Sequence, residues 1–129
     1  MSKLTKIAIV GLITFILSVI GIAKFSFNSG YKISINNTTN VAIERLELKY
    51  KAGNVIKAIS QIGAKASWTG AIDTNSFDGE NAIILTYKDN KNNPHEEYVV
   101  GYLEKGYHGN TNVVINNIDE NGKLELEVK

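Results

Sequence analysis

The sequence predicts an all-β domain of about seven strands, preceded by one N-terminal hydrophobic helix. After residue 30 the apolar residues recur with a period of two, which is typical of half-buried strands. Turn-forming residues interrupt this alternation at short intervals. Before residue 30 the chain instead holds an uncharged apolar segment from Ile7 to Ala23. The 129 residues of the chain are enough for this segment and one small domain.

The apolar segment is predicted to be a helix over about residues 7–27. Its seventeen uncharged residues extend roughly 26 Å as a helix, against a hydrocarbon core about 30 Å thick. A lysine interrupts the segment near its end, but the stem of that side chain can lie along apolar surface while its ammonium reaches the headgroups. The residues predicted to contact the membrane include Ile7, Phe15, Ala23, Lys24 and Phe25.

Basic residues before the segment predict its orientation, and two interpretations of its fate stay open. Lys3 and Lys6 favour a cytoplasmic N-terminus, so residues 1–29 anchor an exported domain of residues 30–129. The alternative is a signal peptide cleaved after Ala23, because small residues occupy the positions that a signal peptidase reads. The segment is longer than a typical signal-peptide core of about 7–15 residues, which favours the retained anchor.

Strand predictions follow from the alternation of apolar and polar residues. It is clearest in YKISIN (31–36), LELKY (46–50) and the final LELEVK (124–129), where one face points to a core and the other to water. AIILTY (82–87) and EYVVGYL (97–103) are more continuously apolar. We therefore expect these two strands to lie centrally in their sheets.

Turns separate the predicted strands. The stretches NNTTN (36–40), DNKNNP (89–94) and DENG (119–122) are rich in residues that favour turns. DTNSFDGEN (73–81) is predicted to be a longer crossover loop, and Trp68 to cap one end of the core. Short antiparallel strands with such turns pack naturally as an immunoglobulin-like β-sandwich.

Composition excludes several classes of protein. The chain has no cysteine, which excludes a disulfide scaffold, a cysteine nucleophile and lipid attachment through an N-terminal cysteine. Residues 30–129 carry eleven Lys and Arg against thirteen Asp and Glu, a net charge of −2. Because the basic residues are scattered rather than clustered, nucleic-acid binding is not expected.

Two groups of residues have the chemistry of a metal site, and no cofactor is predicted. His95 and His108 are expected to share one neighbourhood with nearby glutamates, a combination that suits zinc, but their spacing matches no compact motif. Two exposed loop histidines are the favoured interpretation. The crossover loop offers four oxygen ligands of the kind that calcium prefers, but it lacks the EF-hand order. These calcium candidates are Asp73, Asn75, Asp78 and Glu80.

No catalytic residue is predicted. The chain contains no G-x-S-x-G elbow, and Ser29 with Lys32 has the S-x-x-K spacing without its companion motifs. Tyr98 and Tyr102 are predicted to share one strand face with Val100, which favours a core position over a recognition surface. Binding is instead expected in the loops. The predicted partner-binding residues are Tyr107, His108, Asn92 and His95.

These predictions together describe a non-enzymatic, membrane-tethered protein of the bacterial envelope, with its sandwich outside the cytoplasmic membrane. The sandwich is expected to bind an envelope or extracellular protein, in an immunity or accessory role. The alternative is a secreted, processed sandwich that binds a metal or small ligand. This architecture is similar to that of small bacterial envelope proteins with one anchor, a likeness that implies no particular function.

Overall fold

The computed structural model describes residues 30–129, which form eight β-strands in two sheets. The prediction of an all-β, sandwich-like arrangement is therefore confirmed. No helix within these residues has the length and apolar character needed to cross a membrane. The predicted N-terminal helix with its membrane contacts, and the cleavage site after Ala23, lie outside the described residues.

The strands are, in chain order, β1 (Tyr31–Asn37), β2 (Ile43–Tyr50), β3 (Val55–Ile62), β4 (Ser67–Ile72), β5 (Glu80–Lys88), β6 (Pro94–Glu104), β7 (Gly109–Ile118) and β8 (Leu124–Val128). The first sheet has the order β4-β1-β7-β8, and the second sheet has the order β3-β2-β5-β6. β1 and β7 run parallel, whereas the other paired strands of residues 30–129 run antiparallel. The wholly antiparallel prediction fails at this pair because no hairpin joins β1 to β7.

The inward faces of both sheets form one hydrophobic core. The predicted alternation is confirmed in the first two strands, where Ile33, Ile35, Leu46 and Leu48 are at most 1% exposed. Their neighbours along each strand point to the opposite face, since successive side chains alternate. Further members of the core include Ile59, Ile72, Ile83, Leu85, Val99, Leu103, Val113 and Ile115.

β4 is the strand that the sequence did not predict. Its Trp68 is half-buried and packs against the core from an edge strand, instead of capping one end of the sandwich. The indole lies over Gly70, where a Cβ atom would come 2.5 Å from the ring. The glycine therefore lets the ring fold back over its own strand, and it also weakens the apolar alternation that predicts a strand.

β6 was expected at the centre of its sheet but lies at the edge. β5 is central as predicted, between β2 and β6. β6 begins at Pro94 rather than after it, which is allowed because the first residue of an edge strand needs no ladder donor. Its pairing with β5 shifts register twice, between Asn81 and Ile84, as is common in bulged edge strands.

Strand directions divide the loops between two ends of the sandwich. The proximal end, where the chain enters at Gly30, holds the crossover loop (73–79) and the β6–β7 turn (105–108). The distal end holds the β5–β6 turn (89–93) and the β7–β8 turn (119–123). The crossover loop joins β4 of the first sheet to β5 of the second, close to the range predicted for it.

Candidate binding surface

The structure separates the four residues predicted to bind a partner. Tyr107 and His108 lie at the proximal end, whereas Asn92 and His95 lie at the distal end. Between the two ends runs β6 with its eleven residues, a length of roughly 35 Å at about 3.3 Å per residue. The prediction that the two histidines share one neighbourhood is therefore wrong.

The distal histidine, His95, is the second residue of β6 and adjoins the β5–β6 turn, and it is half-buried rather than an exposed loop residue. Its ring stacks on Tyr87 with 5.0 Å between ring centroids, and His95 Nε2 lies 2.9 Å from Asp89 Oδ2. This hydrogen bond is the main reason why the pKa of Asp89 falls to about 2. Asn92 has a φ of 62°, which asparagine tolerates in turns. Both predicted binding residues therefore shape the turn.

A fully buried threonine ties the β6–β7 turn to the crossover loop. Thr74 Oγ1 donates to the Tyr107 carbonyl at 2.9 Å, and the Gly106 amide donates to the Thr74 carbonyl at 3.0 Å. His108 Nδ1 accepts from the Gly30 amide at 3.4 Å. The Tyr107 side chain remains 39% exposed, so a fixed backbone presents one aromatic ring.

The four calcium candidates do not converge on one point. Asp73 Oδ1 accepts from the Asn75 amide at 2.9 Å, which is a local turn bond. Asp78 Oδ1 lies 3.3 Å from Lys105 Nζ, and Glu80 lies beside a tyrosine of β6. Within residues 30–129, no three histidine or acidic side chains form a group that could hold a metal ion.

Two tyrosines of β6 lie on the outer face of the second sheet, and the core position favoured by the sequence is wrong. Tyr98 is 53% exposed and Tyr102 is 47% exposed. Where the β5–β6 register shifts, Val99 and Val100 are both buried, so the tyrosines on either side point outward. We name this surface the tyrosine face, and its residues are Lys51, Ala82, Ile84, Tyr98 and Tyr102.

A buried isoleucine lies at the centre of the tyrosine face. Ile84 is 1% exposed, yet it lies between two core residues of β5 and outside the core cluster. Its cross-strand partners are Lys49 and Tyr98. Because alternate residues of a strand face opposite sides, Ile84 is an outward apolar side chain with almost no contact with solvent.

Lys51 joins the tyrosine face through both its charge and its position. Its Nζ lies 5.5 Å from the centroid of the Tyr98 ring and 3.5 Å from Glu96 Oε2. Electrostatic interaction with Tyr98, and then with Glu96, raises the pKa of Lys51 above its ordinary value. A cation held by one aromatic ring and one carboxylate is thus already part of this surface.

The proximal corner of the face combines two rings with two carboxylates. The Tyr102 hydroxyl donates to Glu104 Oε1 and lies 3.4 Å from Glu80 Oε1. This bond to Glu104 is the main cause that raises the pKa of Tyr102. The Tyr102 and Tyr107 rings meet edge to face with centroids 5.9 Å apart. We name Glu80, Tyr102, Glu104 and Tyr107 the acidic corner.

A groove of about 450 Å³ lies at the proximal end of the seam between the sheets. Tyr50 and Phe77 line it and meet edge to face at 4.9 Å. Ile56 and Ala71 add apolar surface from β3 and β4. This groove has the size of a small-ligand site, but the polar groups around it are mostly satisfied by backbone bonds, such as that of the Tyr50 hydroxyl to the Asp73 carbonyl.

Comparisons with known proteins give one structural likeness. No family model matches the chain, and no curated protein matches it. Among solved structures, the chain is similar to a protein from Eubacterium rectale determined by NMR, at 17% sequence identity and a TM-score of 0.49. The match covers 76% of this chain and 86% of that chain.

Proposed function

We propose that this chain is a non-enzymatic, membrane-tethered protein of the bacterial envelope, whose exported sandwich binds a protein partner through the tyrosine face. One observation carries the binding surface: Tyr98, Tyr102 and Tyr107 are among the most exposed large apolar side chains of residues 30–129 and lie along one strand and its turn. Tyrosine is enriched at protein interfaces because it offers a large rigid ring with a polar tip.

The position of the chain's entry point supports the tether. Gly30 lies beside the β6–β7 turn through its bond to His108, and the predicted apolar segment ends only a few residues earlier. A retained anchor therefore places Tyr107 and the acidic corner on the membrane-facing side of the domain. A partner that is itself embedded in or bound to the membrane suits this placement, and so does an immunity or accessory role.

The immunoglobulin-like relationship belongs to this proposal as well. Two facing four-stranded sheets around one core support it. The strand order and the parallel β1–β7 pair differ from the order of an immunoglobulin domain. The proposed binding role depends on the tyrosine face and not on this relationship.

The test is photo-crosslinking of the full chain, with a C-terminal tag, in a Gram-positive host. A photoreactive phenylalanine derivative replaces Tyr102 on the tyrosine face. The matched control carries it at Thr69, which is exposed on the first sheet. We expect a discrete crosslinked protein in the membrane fraction from position 102, none from position 69, and loss of the crosslink when Tyr98→Ala is added. Equal crosslinking from both positions, or none from either, would contradict the proposal.

The groove supports a second candidate, in which the sandwich is secreted after cleavage and binds a small apolar ligand. Its volume and its aromatic pair Tyr50 and Phe77 favour such a ligand. The intact mass from the same culture separates the two candidates. Full-length mass in the membrane supports the tethered protein, whereas a product in the medium beginning at Lys24 supports the secreted one.

A further inference from the structure

Both ends of the tyrosine face combine a tyrosine ring with carboxylates, but only one end has a lysine. Lys51 lies in the turn between β2 and β3 (51–54) at the proximal end, but its ammonium extends along the face to the Tyr98 ring and Glu96. At the acidic corner, Tyr102 adjoins Glu80 and Glu104. Within residues 30–129 neither of these two glutamates forms a salt bridge, because the nearest lysine in sequence, Lys105, pairs with Asp78 instead.

The two glutamates of the acidic corner face each other directly. Glu80 and Glu104 are cross-strand partners in the β5–β6 ladder, and like charges in this position destabilise a sheet. The Tyr102 hydroxyl donates to one carboxylate and lies close to the other. A neutral hydroxyl reduces this repulsion only in part, so a positive charge that approaches the corner gains attraction from both carboxylates.

We propose that the acidic corner binds an arginine or lysine side chain of the partner protein, so that the tyrosine face docks a basic segment. This inference rests on the proposed function and specifies that the partner presents basic side chains. Charge complementarity supports it, because the outer face carries Glu47, Glu80, Glu96 and Glu104 against Lys49, Lys51 and Lys88.

Arginine fits the corner better than a metal ion does. The guanidinium is planar, stacks on aromatic faces and binds carboxylates with two parallel hydrogen bonds. The corner offers the rings of Tyr102 and Tyr107 beside the two carboxylates. A metal ion would use the carboxylates alone and leave both rings without a role. Lys51 shows on the same surface that a ring and a carboxylate together hold an organic cation.

The test measures peptide binding to the full chain in detergent micelles. The probes are two capped pentapeptides, one that alternates glycine with arginine and one with glutamine in place of arginine. We expect the arginine peptide to bind at least about tenfold more tightly, with an affinity that falls as salt increases. The double variant E80Q/E104Q should lose this preference. The control E120Q/E125Q removes two exposed carboxylates elsewhere and should keep it.

Three results would overturn the inference: equal affinity for both peptides, an unchanged preference in E80Q/E104Q, or calcium competing with the peptide for the corner. The E80Q/E104Q variant keeps the shape of both side chains and removes their repulsion, so its melting temperature should not fall. Crosslinking from position 102 separates this inference from the proposed function. A crosslink that persists in E80Q/E104Q would support a partner but contradict its basic character. The absence of any crosslink in the parent chain would contradict the partner itself.

Discussion

The two sheets share one core but differ on their outer faces. The outer face of the first sheet carries polar side chains, which include Lys32, Ser34, Asn36, Thr69, Asn110 and Asn112. The outer face of the second sheet carries a buried isoleucine and two exposed tyrosines. The polar side chains of the first face are solvated by water. The second face already buries apolar side chains, and a bound partner could bury more of its apolar surface.

Hydrogen bonds among its own side chains satisfy the polar face. Ser34 Oγ lies 3.2 Å from Thr69 Oγ1 across β1 and β4. Asn36 Nδ2 donates to Asn112 Oδ1 at 2.5 Å, and Ser67 donates to Asn36. Because these groups are half-buried or exposed and already paired, little free energy depends on covering them. A substitution on the outside of this sandwich should therefore change stability more on the second sheet than on the first.

Among substitutions on the two outer faces, Ile84→Ala should have the largest effect on stability. Although it lies on an outer face, Ile84 is as buried as the core residues of β1 and β2. We expect a loss of about 2–3 kcal/mol in the free energy of unfolding, near the lower end for buried isoleucine because the open side of a sheet can relax. Denaturant unfolding of the full chain in detergent measures it.

Ser34→Ala is the matched control on the polar face. It removes one exposed hydrogen bond to Thr69 and should change the free energy of unfolding by about 0.5 kcal/mol or less. Equal losses for the two variants would mean that the outer faces do not differ as the burial of Ile84 indicates.

The fold was predictable where alternation was regular. Ile33 and Ile35 in β1, and Leu46 in β2, follow a strict period of two and lie in the core as predicted. β4 was missed because Gly70, which accommodates the Trp68 ring, breaks the apolar pattern of a strand. The β1–β7 pair was missed because sequence alternation fixes which face is buried and not which strands become neighbours.

A second comparison concerns the β5–β6 turn of the second sheet and the β7–β8 turn of the first sheet. The expected effect on stability is intermediate. Asp89 Oδ1 and Asp119 Oδ1 each accept two backbone amide bonds within their turns, but only Asp89 also bonds a histidine. Its pKa of about 2 in the folded protein lies below the ordinary aspartate value. Its contribution to stability is therefore complete above about pH 5 and is lost as the pH falls towards 2.

Asp89→Asn should remove this acid-side loss. We expect the difference in melting temperature between the parent chain and the variant to be constant above about pH 5 and to shrink between about pH 4 and 2. This difference in melting temperature should be smaller than the one that Ile84→Ala causes. His95→Ala should move the loss to higher pH, since the histidine bond is the main cause of the low pKa. Asp119→Asn, the control on the first sheet, should leave it in place. A difference that does not vary with pH would contradict the linkage.

The proposed binding surface was less predictable than the fold. The sequence indicated Tyr107, which does adjoin the tyrosine face, but it placed Tyr98 and Tyr102 in the core. That error came from counting positions through Val99 and Val100, where the register shifts. Gly101 was the available signal, since a glycine inside a strand often marks a bulge. The opposition of Glu80 and Glu104 depends on the same register, so it could not be found without the structure.

The smallest change in the free energy of unfolding is expected at the acidic corner. Glu104→Gln removes one of two like charges that face each other across β5 and β6, so the free energy of unfolding should rise by about 0.2–1 kcal/mol. The pKa of Tyr102, raised mainly by its bond to Glu104, should fall towards its ordinary value in an ultraviolet titration. Glu125→Gln is the control on the first sheet, where the cross-strand partner is Asn117 rather than an acid. It should give no gain. If both variants gain equally, the benefit comes from the lower net charge of the whole domain, and the two carboxylates of the corner do not repel each other enough to attract a partner's cation.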